Sequence, residues 1–285
     1  MSRVLPSRRV IDTHCHLDVA AFDDDRAAAV ARSRAAGVHG ILVPAIRPAT
    51  WPGLTALAAE HAGVAIGLGV HPQVVPDLDP DERAACRDLY ATLVEAVAAA
   101  GPAVVAIGEC GLDGGTADRD EQVRLLRIHI RAARELRLPL IVHILRAHDV
   151  APRLLREESA GDVGGVLHSY SGGADLVPIY RDLGFAFSFA GPVTYANSRR
   201  PRAAASAVPA ELLLAETDAP DQAPEPHRGS RSEPAFVADV IRGLAEIRGA
   251  DPREIAELTT ANALRVFPAA APLWSSGSGD GNQIR

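Results

Sequence analysis

Two imidazoles stand one residue apart in Ile11-Asp12-Thr13-His14-Cys15-His16-Leu17-Asp18, directly after an apolar run. Residues two apart on a β-strand share a face, so His14 and His16 point the same way. Two neutral rings side by side each offer a lone pair to one divalent cation, which makes them half of a metal site. Other ligand-type groups follow at the ends of later apolar runs. They are Glu109 in Ile107-Gly108-Glu109-Cys110-Gly111-Leu112-Asp113, His143 in Leu140-Ile141-Val142-His143, His168 in Leu167-His168-Ser169-Tyr170, and Asp218 in Glu216-Thr217-Asp218-Ala219-Pro220. Singly, His143 or His168 reads equally well as a satisfied core histidine and Asp218 as a turn cap. Jointly they do not, because six such groups in one mouth are mutually costly unless cations compensate them.

The elements that must carry these groups recur as one unit: a short apolar run, a loop, then an amphipathic helix rich in Ala, Arg and Leu. Strands are expected at Val10–His16, Gly40–Ile46, Val64–Val70, Ala103–Gly108, Leu140–Ile144, Gly165–His168, Ala186–Phe189 and Leu212–Glu216. Helices are expected over Asp24–Ala36, Thr50–His61, Asp81–Ala100, Asp118–Leu136, His148–Glu158, Ala174–Leu183 and Arg199–Ala207, with an eighth near Glu233–Arg248. Eight alternating repeats favour an α/β fold, a closed (β/α)8 TIM-type barrel, with Pro252–Phe267 as one extra C-terminal helix. In such a barrel the functional face lies where strands end and loops begin, which is where the ligand-type groups fall. The organisation expected is a short arm over residues 1–9, a single (β/α)8 domain over 10–267, and a disordered Ser/Gly-rich tail over 268–285.

At 285 residues the chain suits a single barrel. Its residues are 47% hydrophobic but only 4% aromatic, the Ala, Val, Leu and Ile mix of buried parallel strands. No lysine occurs, so a Schiff-base nucleophile, a P-loop lysine and a carboxylated lysine bridging two metals are all excluded. Any binuclear site must use Asp or Glu as its bridge. A formal net charge of −7 disfavours a broad surface for gripping duplex DNA, although metals and a few arginines can still hold a local phosphate. Cys15, Cys86 and Cys110 are odd in number and widely spaced, which points to a reducing cytoplasm. No apolar run approaches the length of a membrane span, so no membrane partner is expected.

Together with Gly69-Val70-His71-Pro72 and Arg228-Gly229-Ser230-Arg231-Ser232-Glu233-Pro234, these motifs resemble the TatD-type metal-dependent deoxyribonucleases, over Val10 to about Phe267. Ala21-Phe22-Asp23-Asp24-Asp25 and Arg146-Ala147-His148-Asp149 look closer to the YjjV-like branch. The resemblance implies two divalent cations, zinc, magnesium or manganese. One would be held by His14, His16, Glu109 and Asp218 and the other by Glu109, His143 and His168, with Glu109 as bridge and Asp218 as general base. It implies metal-activated water cleaving phosphodiester bonds from DNA ends or single strands, as in a 3'-5' exodeoxyribonuclease, or acting on a small phosphoester.

His71, Arg146, Arg228 and Arg231 are candidate substrate contacts. Four stretches depart from the family pattern: Ile144-Leu145 ahead of Arg146, Gly114-Gly115 in place of an aromatic pair, Asp221-Gln222 after the Asp218 motif and, more mildly, His168-Ser169-Tyr170 in place of a Cys/Gly-Phe pair. His39, His61, His129, His148 and His227 carry no comparable context and are assigned to surface or packing. Two other readings stand beside the nuclease: an amidohydrolase or esterase acting on a lactone or aminoacyl ester, and a non-catalytic quality-control or partner-binding barrel.

Overall fold

A computed structural model describes residues 9–275. Eight parallel strands run in sequence order: β1 Val10–Asp12, β2 Val38–Pro44, β3 Val64–Leu68, β4 Val104–Asp113, β5 Leu140–Leu145, β6 Gly165–Leu167, β7 Phe185–Phe189 and β8 Leu213–Ala215. The helices are α1 Arg26–Ala35, α2 Trp51–Glu60, α3 Pro80–Arg87, α4 Leu89–Ala100, α5 Arg119–Leu136, α6 Ala151–Glu157, α7 Val177–Asp182, α8 Arg199–Ala207, α9 Val237–Arg248, α10 Pro252–Val266 and α11 Ala271–Ser275. The fold is the expected (β/α)8 barrel, and the helix expected over Asp81–Ala100 is divided into α3 and α4 at Asp88.

β1 and β8 are too short to close the ring as regular strands. Closure comes from Thr13 N–H to the Ala215 carbonyl (3.2 Å), Asp218 N–H to the His14 carbonyl (2.9 Å) and His16 N–H to the Ala219 carbonyl (2.7 Å). The seam is therefore made by the segments that carry three of the ligand-type side chains.

β4 is longer than its apolar run and continues through Glu109 to Asp113. Glycine lets it pass close to its neighbours. A Cβ at Gly111, where φ is +149°, would sit 1.9 Å from the His143 carbonyl oxygen. At Gly69 a Cβ would be 2.5 Å from the Glu109 carbonyl oxygen. Any side chain at either position would push β4 away from the strand beside it.

Inside the barrel, Ile11, Leu42, Ala65, Ile141, Val166 and Leu214 form a cluster that continues into Ala263, Phe267 and Trp274. Trp274 closes the end opposite the site, where a Cβ on Gly40 would be 2.8 Å from its ring. This corrects the reading of everything beyond Pro268 as tail. Pro268–Ala270 form a 3-10 turn, α11 follows, and Trp274 is only 4% exposed. An isolated Trp in a Ser/Gly-rich stretch gave no periodic signal, but the barrel floor supplies its contacts. Residues 276–285, and 1–8 of the expected arm, lie outside the described residues. Trp274→Ala is expected to lower unfolding free energy by about 3 to 5 kcal/mol, the range for large-to-small core changes, measured by urea denaturation.

Candidate metal centre

Six expected ligand positions reach one point at the mouth. Around Glu109 Oε2 and Asp218 Oδ1 stand the Nε2 atoms of His14 and His16. Their separations are 3.1 and 3.4 Å to Glu109, 3.7 Å each to Asp218, and 3.2 Å between the two nitrogens. Four donors around a tetrahedral cation with bonds of about 2.1 Å lie roughly 3.4 Å from one another, so these spacings match one ion's coordination shell. On the opposite side, Glu109 Oε1 lies 3.1 Å from His143 Nδ1 and 2.7 Å from His168 Nε2, themselves 3.1 Å apart. Glu109 is fully buried, and its Oε2 has no hydrogen-bond partner in the structure, as expected of an atom made for a cation.

His71 completes the crowd, with Nε2 2.9 Å from Glu109 Oε1. Its spacing to Glu109 and His143 imitates a third set of metal ligands. The tautomer excludes that role. His71 Nδ1 accepts the Gln73 backbone N–H at 3.0 Å, so in the neutral ring Nε2 carries the hydrogen and donates to Glu109. A cation at Nε2 would require an imidazolate. His71 is a hydrogen-bond donor facing the site.

Burial separates the rings electrostatically. It pushes His16 down to about 3 and His71 down as well. It also opposes protonation of His168 and His143, but Glu109, with Asp113 at His143, outweighs it and raises both. Burial pushes Asp218 up to about 6. Glu109 is held low despite its burial by the His168, His71 and His14 rings around it.

Sequence reasoning missed the carboxylates behind the ligands. Asp12 accepts from Thr217 Oγ1 (2.6 Å), Thr217 N–H (2.9 Å) and His14 N–H (3.3 Å), tying the two halves of the seam together. Glu216 Oε1 takes the Ser169 N–H at 2.5 Å and lies 3.6 Å from His168 Nδ1. Asp113 Oδ2 lies 3.5 Å from His143 Nε2 and accepts the Gln73 side-chain amide at 2.7 Å. Buried carboxylates on the far nitrogen of a ligand histidine fix its tautomer and raise its basicity. A signal was present: Asp12 and Glu216 each stand two residues before a ligand, on the same face by strand periodicity. Asp113 also caps the Gly114-Gly115 turn through Gly115 N–H at 2.7 Å. A Cβ on Gly114 would lie 2.2 Å from the Arg146 carbonyl oxygen, so at that position the turn has no room for a side chain.

None of the three arginines expected to meet substrate lines the cavity over the metal-ligand groups. Arg231 is paired with Asp25 at 2.7 and 2.9 Å, donates to the Ala21 carbonyl and covers the Phe22 ring, which corrects its assignment as a phosphate contact. Arg228 stacks on Tyr195 at 4.2 Å, and Arg146 is exposed. Among the described residues no arginine lines the cavity of about 550 Å³ that opens over the metal-ligand groups. Its walls include Ile46, Val74, Phe189 and Val193, with Ser169, Ser171, Asp221 and Gln222 between them.

His129, set aside as packing, holds the strand end that carries His71. Its Nε2 accepts the Val70 N–H at 3.0 Å while Nδ1 bonds the Leu125 carbonyl at 2.7 Å. Burial pushes it from 6.5 to about 4. Between those pH values the unfolded chain protonates this ring and the folded chain does not, so stability falls as pH drops through the window, by up to about 3 kcal/mol. His129→Gln is expected to flatten the dependence of urea-unfolding free energy on pH between 6.5 and 4.

Residues 11–268 match the TatD-related DNase family. The chain is 36% identical over 263 residues to the uncharacterized metal-dependent hydrolase YcfH of Escherichia coli, covering 90% of this chain and 95% of the relative. It is 32% identical over 261 residues to the 3'-5' ssDNA/RNA exonuclease TatD of a Rahnella strain, covering 88% and 95%. The crystal structure of YjjV, a TatD homologue from Escherichia coli, superposes with a TM-score of 0.83 at 31% identity, covering 91% of this chain and 98% of that one. The chain belongs to the TatD-related DNase family and is a metal-dependent hydrolase.

Proposed function

We propose that the chain hydrolyses phosphodiester bonds at the ends of nucleic acids or in single strands, using two divalent cations that share Glu109. The observation that carries this reading is the division of one buried carboxylate between two donor sets, His14, His16 and Asp218 on Oε2 and His143 and His168 on Oε1. Mixed imidazole and carboxylate donors suit zinc, manganese or magnesium. Bound there, two cations would polarise phosphoryl oxygens and acidify an attacking water.

The chain's own groups supply the rest. Asp218 takes the water's proton, its other oxygen held by the Gln222 side-chain amide, which also bonds Ser169. His71 offers its Nε2–H to a phosphoryl oxygen in place of Glu109. A terminal sugar or base rests on the apolar walls, which exclude water from the reacting bond. Exposed Arg146 and Arg228 are the cations available to the next phosphate outside the cavity.

A metal-supported phosphoester reaction also fits the naming of a 32%-identical relative as an ssDNA/RNA exonuclease. The buried free thiols agree with a reducing cytoplasm, and among the described residues no helix is long and apolar enough to cross a membrane. The reading on a carboxyl centre uses the same donors, and the turnover panel below separates the two.

Elemental analysis is expected to find up to two divalent metals per chain, with Glu109→Ala lowering occupancy of both positions and abolishing activity. Loss of one metal alone would refute the bridge. The substrate reading is tested with metal-loaded protein on a linear single strand, the same strand closed into a circle, a closed duplex and a lactone. The linear strand is expected to be degraded much faster than either closed form, with activity lost in Asp218→Ala. Circles cut at the linear rate, or lactone turnover without phosphodiester turnover, would sink this function.

A further inference from the structure

His148 and Tyr180 take no part in the chemistry above, yet they govern a residue that lines the cavity. Ser171 follows β6, and its hydroxyl lies 2.8 Å from the Ile144 carbonyl oxygen and 3.2 Å from His148 Nε2. A carbonyl oxygen can only accept, so the one hydroxyl proton lies on the Ile144 side. The contact with His148 then requires Nε2 to carry the ring hydrogen. Nδ1 is left with a lone pair, and the Tyr180 hydroxyl lies 2.8 Å from it. Tyr180 is fully buried and its O–H needs an acceptor, which fixes the same tautomer from the other end. Burial and the nearby Arg200 keep the ring neutral, with its pKa pushed down to about 4.

The hydrogens therefore run in one direction, from Tyr180 to His148 to Ser171 to the Ile144 carbonyl. Ser171 has no proton left for the cavity, only a lone pair. Beside it, Gln222 has both amide hydrogens engaged, on Ser169 and on Asp218, and among the described residues no guanidinium lines the cavity. A freely rotating hydroxyl would serve donors and acceptors alike, whereas this one is set against acceptors.

We propose that Ser171 is a specificity-determining residue that accepts a hydrogen bond from a hydroxyl or amino group on the organic part of the substrate. His148 and Tyr180 are the positioning residues that hold it as an acceptor. The inference rests on the reading that this cavity seats the organic part of a phosphoester, and it adds the donor that part must carry. A buried acceptor left unpaired by a ligand lacking that donor discriminates more strongly than a change in apolar size.

The test is calorimetric binding to manganese-loaded protein, with cytidine 5'-monophosphate, whose sugar and base carry donors, against phenyl phosphate, whose ring carries none. Ser171→Ala is expected to weaken cytidine monophosphate binding about tenfold, the loss of one hydrogen bond, and to change phenyl phosphate binding less than about twofold. Tyr180→Phe leaves the serine in place but frees the His148 tautomer, so it should weaken cytidine monophosphate in the same direction and by less. Equal weakening of both ligands would show a merely structural role and overturn the proposal. Unchanged binding in Ser171→Ala, or no binding of cytidine monophosphate to the unaltered protein, would also overturn it. Because the measurement is of binding, a protein that fails to hydrolyse any phosphodiester would refute the proposed function while these affinities still decide Ser171.

Discussion

A single carboxylate, Glu109, fully buried among five imidazoles, is the constraint on which the rest of the structure depends. An uncompensated charge at such a depth costs several kcal/mol, so it persists only where opposite charge is provided. The rings that face it follow β1, β3 and β6 or lie on β5, and no local stretch of chain could bring them together. Only closing the sheet places them within 3.4 Å of the carboxylate. The seam that closes it, between the segments after β1 and β8, is itself fastened by Asp12, directly beside His14 and Asp218. Fold closure and assembly of the metal centre are the same event.

The same economy appears in the strand spacing. Glu109 reaches the axis because β4 continues past its apolar core, and it can continue because Gly69 and Gly111 leave the flanking backbones room to approach. Behind the ligands stand Asp113 and Glu216, so that His143 and His168 each have a carboxylate on the nitrogen turned away from the centre. The site thus layers acid behind imidazole, with Asp113 and Glu216 3.5 and 3.6 Å from the outward nitrogens of His143 and His168. His71 shows how much a tautomer decides. Its ring is placed like a ligand, and one backbone N–H from Gln73 makes it a donor instead.

The ligand groups were legible in the sequence because each ends an apolar run, and strand periodicity in Asp-Thr-His-Cys-His puts two of them on one face. Eight such runs alternating with amphipathic helices also announced the barrel. What escaped reading depended on partners distant in the chain. Asp12 and Glu216 look like ordinary acids until Thr217 and Ser169 arrive across the seam. Trp274 stands in a polar stretch whose composition resembles a linker, and only the barrel floor gives it a place. Arg231 was drawn to phosphate by its Gly/Ser loop, but Asp25 and the Phe22 ring, more than 200 residues away, hold it first. Hydrophobic period reports which face is buried, and it carries no information about which polar group meets which.

The cavity has a consequence for how affinity is generated. Its lining includes Glu109, Asp218 and Asp221 and, among the described residues, no arginine. On the proposed reaction, attraction for a phosphate inside the cavity would come mainly from bound metal ions, with the His71 Nε2–H beside them. Substrate binding and metal binding would then be thermodynamically linked, each strengthening the other by the same factor. A protein that drew polynucleotides with a basic groove would bind them whether or not its metals were present. Here the net charge is −7 and, among the described residues, no arginine lines the cavity. On the proposed reaction, recognition would centre on the phosphate that the bound cations reach, with Arg146 and Arg228 left for contacts outside the cavity and selectivity among substrates falling to the apolar walls and the polar atoms set between them.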